Sequence, residues 1–86
     1  MKKVIYQPLT KTAVRQVAAE LMERPKGVSV AMVVRQLKQR QFWASNFTVA
    51  AWLEELSVEM QWHEEEYGGT PIYFRNAVVA DWASVR

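Results

Sequence analysis

The chain of 86 residues contains no cysteine, three glycines, three prolines and a single histidine, His63. Without cysteine it has no disulfide, no thiolate nucleophile and no cysteine-ligated zinc site. His63 stands without a second histidine, a nucleophile motif or a phosphate-binding loop, so we expect no enzyme, no metal site and no cofactor. No stretch approaches the ~18 apolar residues of a membrane span, and neither a membrane nor a small-molecule partner is predicted. The lack of cysteine also favours a cytoplasmic location.

The apolar residues suffice for a folded core, and the charged residues are unevenly placed. Half of the chain is hydrophobic and 12% is aromatic, including four tryptophans, which predicts one small domain with a dense core. Residues 1–43 carry nine basic and two acidic side chains, a net charge of +7, whereas residues 44–86 carry two basic and seven acidic ones, a net charge of −5. This asymmetry predicts two faces with different partners, or copies that meet through opposite charges.

Apolar residues recur at the spacing i, i+3, i+4, i+7 in three segments, which places them on one face of a helix in each. The three sets are Val14/Val17/Ala18/Leu21, Val30/Val33/Val34/Leu37 and Val49/Trp52/Leu53/Leu56. The helices are predicted to start at the caps Thr10 or Thr12, Ser29, and Ser45 or Asn46, and to end near Arg24, near Gln39 and between residues 57 and 59. On the third helix, the residues expected to face outward are Thr48, Ala51, Glu54 and Glu55.

A β-hairpin is predicted after the third helix, between residues 60 and 75. Gly68-Gly69 supplies the positive φ of a two-residue turn. The resulting register pairs Tyr67 with Thr70, Glu65 with Ile72 and His63 with Phe74. Val28 is expected to add a short strand to this hairpin. The pattern leaves open which face of the hairpin is inward: the one with Trp62 and Tyr73, or the one with Ile72 and Phe74.

The chain is therefore expected to divide into three parts: an extended arm at residues 1–9, a folded body at 10–76 and a tail at 77–86. Pro8 disfavours helix in the arm, where residues 4–6 have strand propensity. In the tail, the spacing of Val78, Val79 and Trp82 predicts a short helix. The arm or the Trp82 tail is expected to serve as the contact if the chain dimerises.

Three segments, VAMVVRQL at residues 30–37, TVAAWLEEL at 48–56 and YGGTPIYFR at 67–75, carry a resemblance to a known family. Over residues 10–76 the chain resembles the winged helix-turn-helix transcription regulators of bacteria. The resemblance implies an α+β winged helix, with three helices followed by a β-hairpin wing. It implies that the third helix recognises double-stranded DNA and that the hairpin is the wing.

Carried onto this chain, the resemblance places Ser45, Asn46, Thr48, Ala51 and Glu55 in the major groove, with Ser45, Asn46 and Thr48 at base edges or phosphates. Asn pairs with adenine, a hydroxyl binds phosphate, and a helix N-terminus favours an anion. The cations expected to hold the DNA backbone are Lys38, Arg40, Lys11 and Arg35. The alternative for these cations is an ordinary solvated helix surface. The chain departs from the family in having glutamates on its third helix and wing, where cations are usual, and carboxylates oppose binding to phosphate.

A second hypothesis makes the chain a protein-interaction module. Its acidic third helix and wing, with Glu64, Glu65 and Glu66, would dock a basic partner or the basic half of a second copy. Phe42, Trp43 and Phe47 would form an exposed aromatic cluster for protein contact or base stacking. The alternative for this cluster is that at least two of the three rings fill the core. The alternative for the glutamates is a charged edge strand that resists pairing with other chains.

Overall fold

The computed structural model describes residues 5–24 and 26–75. The elements follow one another as α1 (Lys11–Leu21), β1 (Val28–Ser29), α2 (Val30–Gln39), α3 (Asn46–Glu59), β2 (His63–Tyr67) and β3 (Thr70–Phe74). The predicted α+β class is confirmed, as three helices and a three-stranded antiparallel sheet. The predicted tail helix at residues 77–86, with Trp82, and the first four residues of the arm lie outside the described residues. Among the described helices, none is long and apolar enough to cross a membrane.

Each helix starts at a hydroxyl residue, because a side-chain oxygen there satisfies a backbone amide that lacks a helical partner. The caps are Thr10, Ser29 and Ser45, which accept from the amides of Ala13, Met32 and Thr48. The predicted end of α1 near Arg24 is wrong by one turn. After Leu21 the chain continues as a turn, in which the amides of Glu23 and Arg24 donate to carbonyls three residues earlier. The predicted ends of α2 and α3 are confirmed.

The helix α2 ends in a left-handed cap on a residue other than glycine. Gln41 has a φ of 64°, its amide donates to the carbonyl of Lys38, and the amide of Phe42 donates to the carbonyl of Leu37. This pair of bonds is the Schellman motif, which satisfies the last carbonyls of a helix and turns the following apolar residue inward. Phe42 accordingly packs against the core. The helix α3 ends in the same way at Gln61 and Trp62.

The cap of α3 offers a test of this backbone geometry. Gln61 has a φ of 57°, which disfavours any residue with a Cβ, so Gln61→Gly should raise the free energy of unfolding by about 0.5–1 kcal/mol. The measurement is urea denaturation followed by tryptophan fluorescence. Gln39→Gly is the matched control, because Gln39 is helical, and there glycine should lower stability by about 0.5–1 kcal/mol. A loss of stability in Gln61→Gly would contradict the assigned cap.

The sheet has the order β1-β3-β2, with all neighbours antiparallel. The predicted hairpin register is confirmed: Tyr67 lies opposite Thr70, Glu65 opposite Ile72 and His63 opposite Phe74. The turn between them has φ values of 57° and 81° at Gly68 and Gly69, as a two-residue hairpin turn requires. The expected short strand at Val28 is also present, and Val28 pairs with Tyr73.

The inward face of the hairpin is the one that carries Trp62 and Tyr73. Tyr73 is 3% exposed, and its ring lies 6.4 Å from that of Trp62. Burial raises the pKa of Tyr73, with smaller contributions from the charges of Glu64 and Glu54. The core beneath this face is built from the apolar faces of all three helices together with Val28 of β1. Its largest fully buried side chains are Leu37, Leu53, Val14, Val17, Val28, Val33 and Val49.

Candidate nucleic-acid interface

The helix α3 has a buried face and an exposed ridge. Val49, Leu53 and Leu56 are buried in the core, as their spacing predicts. The opposite side of the helix carries four exposed residues at spacings of three and four. We call them the α3 ridge: Phe47, Ala51, Glu54 and Val58. Phe47 is 86% and Val58 76% exposed. The exposed side of α3 is therefore more apolar than the residues expected there, Thr48, Ala51, Glu54 and Glu55, would make it.

Of the residues expected on the outward side of α3, Thr48 is turned elsewhere, while Glu55 is exposed as expected. Thr48 is half-buried, and its hydroxyl accepts a hydrogen bond from the Ser45 hydroxyl at 3.0 Å. Glu55 lies on the flank towards α1, where Lys11 Nζ is 3.5 Å from Glu55 Oε1 and 2.6 Å from Glu59 Oε2. The hydrogen bond to Glu59 is the main reason that the pKa of Lys11 is raised. Lys11 thus neutralises charge on α3.

Arg40, at the end of α2, is also engaged by a carboxylate. Its Nη1 and Nη2 donate to the two carboxylate oxygens of Glu20 on α1, at 3.1 and 2.5 Å. This two-point hydrogen bond is the main cause of the lowered pKa of Glu20 and of the raised pKa of Arg40. Exposed ion pairs of this kind add little stability, but they fix where the charge points. Arg40 is therefore directed at α1 and Glu20.

Arg35 and Lys38 are the predicted phosphate contacts that remain. With Ala31 they occupy the exposed side of α2, three and four residues apart, opposite the buried Val33 and Leu37. Neither has an ion-pair partner among residues 5–24 and 26–75. We call these two residues the α2 basic stripe. The chain reaches the first turn of α3 only six residues after α2 ends.

That connection, residues 40–45, carries two of the three aromatic residues singled out from the sequence. The interpretation that at least two of Phe42, Trp43 and Phe47 fill the core is wrong. Only Phe42 packs against it, while Trp43 is 70% exposed and Phe47 more so. The Schellman cap explains the inward position of Phe42, because the residue at this place in the motif makes an apolar contact with the helix.

The arm lies along the same connection, a contact that the sequence analysis missed. The amide of Gln7 donates to the carbonyl of Gln41 at 2.6 Å, and the amide of Trp43 donates to the carbonyl of Gln7 at 2.9 Å. The rings of Tyr6 and Trp43 meet edge to face, with centroids 5.8 Å apart. Both Ile5 and Tyr6 are exposed. The only signal in the sequence was the strand propensity of residues 4–6.

Within residues 5–24 and 26–75, the acidic strand β2 is an edge, since it pairs only with β3 and all five of its residues are exposed. His63 Nε2 lies 3.0 Å from Glu65 Oε2, and the Tyr67 hydroxyl donates to Glu65 Oε1 at 2.6 Å. The bond from Tyr67 is the main cause of the lowered pKa of Glu65. Glu64 and Glu66 alternate with it along the strand, as expected. No metal-binding group of three or more ligand residues occurs in the part of the chain that the structure describes.

Comparisons of the chain with protein-family models, with curated proteins and with solved structures found no match. A proposal of function therefore rests on the predicted contact residues that are exposed at the start of α3 and on α2. These are Ser45, Asn46, Phe47, Arg35 and Lys38.

Proposed function

We propose that the chain is a winged-helix domain that binds double-stranded DNA and regulates transcription. In this proposal α3 enters the major groove and the β2–β3 hairpin is the wing. The observation that carries the proposal is the start of α3, where Ser45, Asn46 and Phe47 are exposed and no acidic residue occurs, and which is separated in the chain from the helix of the α2 basic stripe by six residues. The order of three helices and a hairpin supports it as well.

The α2 basic stripe supplies the contacts to the DNA backbone. Affinity for a duplex comes largely from cations that displace condensed counterions, and Arg35 and Lys38 are exposed cations on one helix face. The N-terminus of α3 adds a partial positive charge and backbone amides. Asn46 stands exposed in this turn, where its amide is suited to adenine. Lys11 and Arg40 take no part, because carboxylates hold them.

The glutamates of α3 oppose this interface less than their number indicates. Glu55 and Glu59 share Lys11 on the flank towards α1. Glu54 is on the ridge, but eight residues from Asn46 along the helix, or about 12 Å at the helical rise. That distance exceeds the ~10 Å over which charges interact in ~0.1 M salt. Repulsion between Glu54 and phosphates at the first turn of α3 is therefore screened, whereas Glu54 opposes phosphates close to Ala51, one turn before it.

The test is the fluorescence anisotropy of a labelled random-sequence duplex, titrated with the protein at several salt concentrations. We expect binding at low salt that weakens steadily as salt rises, because phosphate contacts release counterions. Absence of binding at low salt would reject the proposal. Binding that does not change with salt would reject the role of Arg35 and Lys38.

A second candidate function is docking onto another protein, favoured by the exposed Trp43 and the apolar α3 ridge. Large exposed apolar side chains near one another are typical of protein interfaces. In this case the acidic hairpin faces a basic partner or the basic half of a second copy. Light scattering would then report a multimer that dissociates as salt rises, and reversal of Glu64, Glu65 and Glu66 to lysine would abolish it. A monomer at every salt concentration excludes self-association.

A further inference from the structure

We propose that Phe47 and Ala51 read thymine methyl groups, so that the target of α3 is a duplex rich in A·T pairs. This inference rests on the proposed function, and it names the class of sequence recognised. It starts from the α3 ridge, where two neighbouring exposed residues are apolar at the end of the helix that would enter the groove.

An exposed phenylalanine gains free energy only where it meets an apolar surface. Phe47 is 86% exposed and is the second residue of α3. In the major groove the apolar group that the bases present is the C5-methyl of thymine, and phenylalanine and alanine are side chains that contact it. G·C pairs present only donors and acceptors there, which an aromatic ring would desolvate without compensation.

The spacing of the ridge fits this target. Phe47 and Ala51 are four residues apart, or about 6 Å along the helix axis. Two base-pair steps cover about 6.8 Å along the duplex. A helix lying along the groove therefore sets the two side chains against bases two positions apart. Asn46 points to the same class of sequence by different chemistry, since an amide pairs with the N6 and N7 of adenine.

The experiment begins by selecting bound duplexes from a random-sequence pool with the wild-type protein. Each thymine of the enriched duplex is then replaced in turn by deoxyuridine, which removes the methyl group and leaves base pairing unchanged. Anisotropy titrations compare the wild type with Phe47→Ala and with Val58→Ala. Val58 is the matched control, because it is an exposed residue of the same ridge at the opposite end of the helix.

We expect an A·T-rich consensus in which replacement of one or two thymines weakens wild-type binding about fourfold each, the factor for one buried methylene. Phe47→Ala should lose affinity for the thymine duplex by a similar factor and become indifferent to one of these replacements. Val58→Ala should behave as wild type. Circular dichroism of each variant checks that its fold is intact.

Four other results overturn the inference. The first is a G·C-rich consensus, and the second is an A·T-rich consensus in which every deoxyuridine duplex binds as well as its thymine parent. Either result would show that no thymine methyl group is contacted, while the proposed function would still hold. If wild type and Phe47→Ala are equally sensitive to deoxyuridine, Phe47 does not contact a thymine methyl group. Failure to enrich any sequence, with no binding at low salt, rejects the proposed function together with the inference and leaves the apolar ridge to a protein partner.

Discussion

Reversing the α2 basic stripe, by Arg35→Glu with Lys38→Glu, is expected to lower the affinity for duplex DNA about 100-fold in ~0.1 M salt. Hydrogen bonds to charged groups are worth about 1.5–3 kcal/mol each, and the loss of two at the lower limit, about 3 kcal/mol, accounts for a factor of this size. Since each phosphate contact contributes about one unit to the salt dependence, the slope of log K against log salt should become less steep by about 2. Both residues are exposed, so the fold should be unaffected.

The matched control is Arg24→Glu with Lys26→Glu, which makes the same change in net charge. Both side chains are exposed in the turn between α1 and β1, outside the proposed interface. This variant should lose less than about tenfold in affinity, because only the long-range field changes. Equal losses in the two variants would show that DNA responds to net charge alone, and the assignment of Arg35 and Lys38 would then be wrong.

Leu53→Ala is expected to lower the free energy of unfolding by about 3 kcal/mol, within the usual range of about 2–5 for leucine in a core. Leu53 is completely buried at the centre of α3, and the core cavity left by the substitution adds to the lost burial. A chain of this length has a total stability of about 4–13 kcal/mol, so the loss is a large part of it. Urea denaturation followed by tryptophan fluorescence measures the change.

Val58→Ala is the control for this prediction as well, because it shortens an exposed side chain of the same helix. Its effect should stay within about 0.5 kcal/mol. If Leu53→Ala cost less than about 1 kcal/mol, α3 would not be anchored by this face. The exposed ridge, and with it both proposals, would then lose its structural basis.

Local chemistry explains why much of this fold was predictable. The helices follow from their apolar spacing and hydroxyl caps, and the hairpin register follows from Gly68-Gly69, because a two-residue turn leaves only one pairing. The inward face of the hairpin could not be predicted in this way. Both faces carry large apolar residues, and only packing against the helices selects the one with Tyr73.

The candidate interface was less predictable, because its charges are set by contacts distant in the chain. Lys11 meets Glu55 44 residues later, and Arg40 meets Glu20 20 residues earlier. Such pairs depend on how the helices pack, which spacing does not report. The position of Phe47 was left open for a different reason: α3 carries apolar residues on two opposite faces, and spacing alone does not decide which of them packs on the core.

The most direct test of the central claim, that the first turn of α3 and the α2 basic stripe form one DNA interface, is the nuclear magnetic resonance spectrum of the ¹⁵N-labelled protein during titration with the selected duplex. The account predicts that the amide shifts that change most belong to residues 35–38 and 45–48, with little change in β2. Changes centred on His63–Tyr67, or spread without preference over the whole domain, would contradict it.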